Sequence, residues 1–266
     1  MAIQWRIDEK TRALVIRGKG SMADYKDENR GQQPWLSTDT NVPRSKKDLT
    51  IRHIKVGAGI TVIGEYTFEK LKDVETVELP NSLKTIGKYA FSGCSSLTSV
   101  TIPNAVETID DFAFNKCTGL VSVDIEGVKT IGNNVFSECT ALESVKIPTG
   151  VTSIGEGAFW GCSSLTAVRI PSGIKTVKNQ AFYGCGAMTS LKIPSTVTEI
   201  ERSAFSGCTA LTSVKLPNNL KSIGACAFWG CSELEISMSN KDIDIVIDAF
   251  RNVKSIEIRT DNWNKL

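Results

Sequence analysis

The apolar positions of this chain repeat with a long period. Phe recurs at 68, 91, 114, 136, 159, 182, 205, 228 and 250, at intervals of 22 or 23 residues. Cys follows three residues later at 94, 117, 139, 162, 185, 208 and 231, and Leu or Met at six residues, from Leu97 to Leu234. Next comes an apolar pair around one variable residue, as in Val100-Thr101-Ile102 and Val168-Arg169-Ile170. Pro follows at 80, 103, 148, 171, 194 and 217, then an aliphatic residue, then Ile-Gly as in Ile86-Gly87 and Ile154-Gly155. The unit reads F-x-G-C-x-x-L-x-x-V-x-I-P-x-x-V-x-x-I-G-x-x-A.

A unit this short cannot bury its apolar face alone, so it stacks on copies of itself. The V-x-I end alternates as a short strand does: Val and Ile point inward and the residue between points out. Pro ends the strand because it has no N–H for the ladder. The second apolar pair predicts a shorter extended segment on the return side, with Gly in a tight turn. The A-F-x-G-C stretch predicts a helical turn or loop whose Phe fills the wide end of the core. With strands ~4.8 Å apart, nine coils make a body roughly 40 Å long. The fold class predicted is a repeat solenoid of the α/β type, mostly β. It is a right-handed leucine-rich-repeat superhelix of ~23-residue coils with an N-terminal β-hairpin cap.

Three segments follow. Residues 51–235 carry the repeats, starting with Ile51, Ile54, Val56, Ile60, Ile63 and Phe68, with Gly57 where Pro usually stands. Residues 1–50 do not fit the unit. There, Trp5-x-Ile7 and Ala13–Ile16 read as a capping hairpin. A polar loop follows (GKGS, TNVPRSKKD), pinned by Met22, Tyr25 and Trp35. Residues 236–266 read as a degenerate repeat and C-terminal cap: Glu235-Ile236-Ser237-Met238 loses phase, and the chain ends in polar DNWNKL. One coil is a residue short between Phe114 and Phe136, with Glu126-Gly127 replacing the Pro turn.

Chemistry adds little to this frame. Net charge is +2, from 31 basic and 29 acidic residues, which gives no bulk attraction for nucleic acid. No apolar run is long enough for a transmembrane segment, and MAIQWRIDEK is no signal peptide. His53 is the single histidine. It reads as a solvated strand residue, since catalytic or metal chemistry needs partners that the period does not supply. Asp110-Asp111 read as solvated loop carboxylates, and Gly18-Lys19-Gly20 as a turn without phosphate chemistry. No catalytic motif, metal set or cofactor motif occurs, so no enzyme activity, metal or cofactor is expected. The seven-membered cysteine column reads as buried, reduced thiols, because ladder side chains run parallel with Cβ atoms ~5 Å apart, wider than a disulfide needs.

Two columns are candidate binding positions. The outward strand residue runs Lys55, Glu78, Thr101, Asp124, Lys146, Arg169, Lys192, Lys215. The last four are basic and form a strip for an acidic protein segment or sulfated glycan. Repulsion between neighbours ~5 Å apart in water costs only roughly 0.8 kcal/mol, so a solvated sheet face accounts for them as well. Beside them, Ser99, Ser144, Ser190 and Ser213 with Thr98, Thr166, Thr189 and Thr212 predict a hydroxyl-rich platform. The position after Phe is Trp160, Tyr183 and Trp229 in three coils, and Ser, Asn, Glu or Arg in others. These aromatics either stack on sugars or partners or shield neighbouring coils.

The F-SGC-SSLTSVTIP and VTSIGEGAF segments resemble the leucine-rich repeats of the BspA-like group, the Treponema and Bacteroides surface-antigen type. The resemblance spans residues 51–235, and the leading W-x-I-D…LVIRGKGSM…PW is similar to what precedes such repeats there. It implies a cell-surface or secreted, non-catalytic adhesion module. Through its concave sheet it would contact an extracellular-matrix or other host protein such as fibronectin, a neighbouring cell, or an acidic glycan. An intracellular scaffold and the binding arm of a larger surface enzyme are the alternatives.

Overall fold

A computed structural model describes residues 2–25, 29–36, 50–238 and 243–258. The TNVPRSKKD segment and the polar terminus, Trp263 included, lie outside them. The chain is a mostly β solenoid, with a 3-10 turn at Pro34–Leu36. Each coil contributes a longer strand, such as Ser99–Thr101, and a two-residue strand, such as Thr108–Ile109. Longer strands stack in parallel register on one side, with Ser99, Ser122, Ser144, Ala167 and Ser190 abreast. Two-residue strands stack likewise on the other side, with Ile63, Ile86, Ile109, Ile131 and Ile154 abreast.

The alternation has the expected cause. In Ser99–Thr101, Ser190–Lys192 and Ser213–Lys215 only the middle residue is buried. Between the sheets lies a continuous stack of phenylalanines, Phe68 to Phe250, with neighbouring centroids 5.1–5.7 Å apart. Eight of them, Phe68 to Phe228, are fully buried.

The segment around Phe is no helix. Residues two before and two after each Phe have positive φ, as at Tyr89 (55°) and Gly93 (75°). The peptides therefore alternate. Tyr89, Phe91 and Gly93 donate their N–H to Asp111, Ala113 and Asn115 of the next coil, while Ala90, Ser92 and Cys94 donate three residues back. Glycine at the second position removes the Cβ penalty of that conformation.

Two sequence expectations change, and a third holds. First, residues 13–25 and 29–36 trace the path of a coil even though they lack its pattern. Ala13–Arg17 pairs in parallel with His53–Val56, Gly20–Ser21 with Ile60–Ile63, and Trp35 stacks on Phe68 at 5.5 Å. Only Gln4–Asp8 is antiparallel, the outer strand of the hairpin. Second, Glu235–Met238 keeps register: Ile236 lies opposite Val214 and is buried. One residue is absent between Leu234 and Ile236 relative to Leu211 and Val214, so only the numbering loses phase. Ser255–Ile258 then adds a further strand. Third, the short coil loses its residue from the turn after Ile125, and both flanking strands keep register. Gly127 closes that turn; a Cβ there would stand 2.2 Å from the Asn104 carbonyl oxygen.

Candidate functional site

The cysteine column is structural. All seven thiols are free and buried, and each reaches the carbonyl of the Phe one coil earlier, from Cys94 on Phe68 (3.3 Å) to Cys231 on Phe205 (3.2 Å). Burial pushes Cys117 and Cys162 up to about 12, which removes the nucleophilic thiolate. Cys226, off the column, is half-buried. His53 is half-buried, with Nδ1 2.8 Å from Thr76 Oγ1. Asp111 is not the solvated carboxylate expected: half-buried, it accepts the N–H of Asn133 (2.8 Å) and lies 3.8 Å from Lys88. Burial and then Asp111 itself raise the pKa of Asp110. Among the described residues no group of three His, Cys, Asp or Glu could hold a metal, and no helix is long and apolar enough to cross a membrane.

The strand face carries the basic strip. Lys146, Arg169, Lys192 and Lys215 are all exposed. Arg169 pairs in register with Lys192, Ser144 with Ala167 (which sets Lys146 beside Arg169), and the strands of Lys192 and Lys215 pack side by side. Charge along this column is managed unevenly. At its start Lys55 is bound to Glu78 at 2.8 Å. Past its end, in the neighbouring column of Ser213, Glu235 is bound to Lys254 at 2.9 Å. Between these, among the described residues, none of the four cations has a carboxylate within 4.0 Å. They line two adjoining grooves along the turn edge of the sheet, of about 900 and 790 Å³. Arg169 and Lys192 line both, so the grooves form one trough, which begins beside the shortened Glu126-Gly127 turn.

Two of the eight hydroxyls of the expected platform turn to the backbone instead. Thr166 and Thr189 spend their hydroxyls on carbonyls of the preceding coil, Glu143 (3.2 Å) and Thr166 (3.3 Å). Ser99, Ser144, Ser190 and Ser213 remain exposed beside the strip.

The aromatic positions lie on the turn side. Trp160 and Tyr183 stack on each other at 5.9 Å and both are half-buried. Trp229 is 41% exposed and stands apart, because Ser206 occupies the coil between. Sequence reading missed a second stack. Tyr66, Tyr89 and Phe112, two residues before the core Phe, lie 4.7 Å apart with near-parallel planes. Aromatic residues at one repeat position in three consecutive coils were its signal. Arg30 covers the free end of this stack, 4.5 Å over Tyr66, and forms a bidentate ion pair with the buried Glu69.

Comparison with known proteins agrees with this architecture. The model of the BspA-type leucine-rich repeat region matches residues 46–166 and 129–257, with six copies. Among solved structures, the chain is similar to the leucine-rich repeat protein of T. pallidum, at 25% identity and a TM-score of 0.60 over 79% of this chain and 87% of that one. A leucine-rich repeat protein from Eubacterium ventriosum is 21% identical, with a TM-score of 0.44 over 98% of this chain and 95% of that one. One from Bacteroides ovatus is 20% identical, with a TM-score of 0.34 over 96% and 88%. No curated protein matches the chain by sequence. The repeat spacing, the two stacked sheets and a family match running from residue 46 to 257 together place this chain in the BspA-type leucine-rich repeat family.

Proposed function

We propose that this protein is a non-catalytic binding module of a bacterial cell surface or its surroundings, and that it holds an extended acidic segment of an extracellular macromolecule along Lys146, Arg169, Lys192 and Lys215. One observation carries the reading: four abreast cations lie on a trough with no carboxylate within 4.0 Å among the described residues, in a chain that pairs the other end of the same column. Such a field gains most from a ligand whose anions repeat along an extended backbone. The surface location rests on the family, and the buried, protonated thiols suit an oxidising compartment.

The test is binding to arrays of matrix proteins, acidic peptides and sulfated glycans at low and high salt. Wild type is compared with a Lys146→Glu, Arg169→Glu, Lys192→Glu, Lys215→Glu variant. Exposed ion pairs contribute about 0.2–1 kcal/mol each. Losing four and adding four repulsions weakens binding on the order of 100-fold, and salt weakens the wild type. Unchanged affinity in the variant would sink the proposal. The arrays also decide between polypeptide and glycan as the source of the anions.

A further inference from the structure

We infer that a second, independent site on the turn side of the solenoid takes one pyranose ring of a neutral glycan. It sits between the two aromatic stacks. The first stack ends at Phe112, where the next coil offers Asn134 in place of a ring; the second begins at Trp160, where the preceding coil offers Ser137. Two coils separate Phe112 from Trp160, about 10 Å along the stacking direction at ~4.8 Å per coil. The two rings belong to different columns, two before and one after the core Phe, and wall the groove from two sides, with room between them for one saturated ring. The structure has a groove there, of about 470 Å³, and Phe112 and Trp160 both line it.

The polar lining fixes the ligand class. Asn134 and Gln180 bring planar amides into the groove, each able to donate and accept, which matches neighbouring sugar hydroxyls. Asn115 is held: it is buried, and its Nδ2 donates to the Ser137 carbonyl at 3.2 Å. The charges at the rim, Lys116 and Glu138, neutralise each other at 3.4 Å. The groove therefore attracts neither an anion nor a cation. That separates it from the basic trough, which lies on the strand face and shares no residue with it.

Sibling coils supply substitutions that the fold already accepts. Asn134 occupies the Phe112 position with the same positive φ, and Ser92, Ser137 and Ser206 occupy the Trp160 position. Wild type, Phe112→Asn, Trp160→Ser and the quadruple Glu variant of the strip are titrated with neutral hexasaccharides of gluco, manno, galacto and N-acetylglucosamino type. Thermal melting checks the fold of each. At least one saccharide is expected to bind the wild type with a dissociation constant below a few millimolar. Phe112→Asn and Trp160→Ser should each weaken it about tenfold or more, the quadruple variant not at all. Absence of binding by every saccharide at 10 mM, or equal binding by wild type and Trp160→Ser, overturns the inference. So does a preference for choline, which would make the rings a cation cage. Because the strip variant is scored in parallel, failure here and failure of the anionic trough are separate results.

Discussion

At the scale of single residues the cysteine column shows what one side chain must do nine-tenths hidden. A thiol is small enough to sit beside the phenylalanine stack, and its S–H meets a carbonyl of the coil before. The carbonyl also accepts the N–H three residues on within its own coil, as Phe91 does from Cys94 and from the thiol of Cys117. With native protein at pH 8, a thiol reagent should therefore label Cys226 and leave the seven column residues unreacted until unfolding; fast labelling of two or more would contradict this. The pH dependence has a definite sign. Folding raises the pKa of six of these thiols, Cys94 to Cys208, above the unfolded value, to about 12 for Cys117 and Cys162, while the Cys208 thiol beside Cys231 lowers that of Cys231. The folded state then holds protons that the unfolded chain releases. Their contribution is complete below the unfolded pKa near 9 and is lost as pH rises from there toward 12. Chemical denaturation at pH 8, 9 and 10 should show stability falling, and a Cys117→Ala, Cys162→Ala variant should lose less over the same interval.

At the scale of elements the cap is the informative part. Trp35 takes the place of a core Phe, stacks on Phe68, and meets Trp5 and Tyr25 edge-on at 6.3 and 5.9 Å. Trp35→Ala should cost about 3–5 kcal/mol, whereas Trp5→Ala, at a residue 41% exposed, should cost under about 1.5 kcal/mol. Equal midpoints for the two in urea would contradict the assignment of Trp35 as the seal of the spine. The cap also marks where sequence reading stops. The coils were legible because Phe, Cys, Leu and the paired aliphatics sit at fixed spacings, each with one environment. Residues 13–25 and 29–36 follow the same path with Trp for Phe, and the interval of 33 residues from Trp35 to Phe68 breaks their period. The strand at Glu235 was hidden in another way: deleting one residue ahead of it shifts numbering but not pairing. Lys146, Arg169, Lys192 and Lys215 were legible as neighbours, since register alone places them. Their lack of counter-ions and the offset between the two aromatic stacks depend on side-chain directions, which spacing does not encode.

At the scale of the whole molecule each coil touches only the two beside it, so stability is close to a sum over like interfaces. Removing residues 187–209, one full 23-residue coil, joins Gly186 to Ala210 and sets Phe182 against Phe228. The shortened protein should remain soluble and unfold in one transition, with a midpoint only a few degrees lower, since a chain this long shifts about 2–4 °C per kcal/mol. Aggregation or loss of the cooperative transition would mean that distant coils depend on one another.

The alternating peptides around each phenylalanine give the stack a direction. Three N–H groups per coil, those of Phe and of the residues two before and two after it, bond to the coil that follows from Tyr66, Phe68 and Lys70 to Ser203, Phe205 and Gly207, and Phe228 and Gly230 do so in the next coil. Within the described residues no coil accepts from Asp248, Phe250 and Asn252. Among the described residues the two ends of the solenoid are thus unlike: the last coil offers the N–H groups of Asp248, Phe250 and Asn252, whereas in the first the Glu65 carbonyl accepts the Tyr25 N–H at 2.9 Å. A body with unlike ends has a head and a tail. Anything that continued this ribbon would have to arrive with its carbonyls foremost, and a copy turned end for end would meet donors with donors.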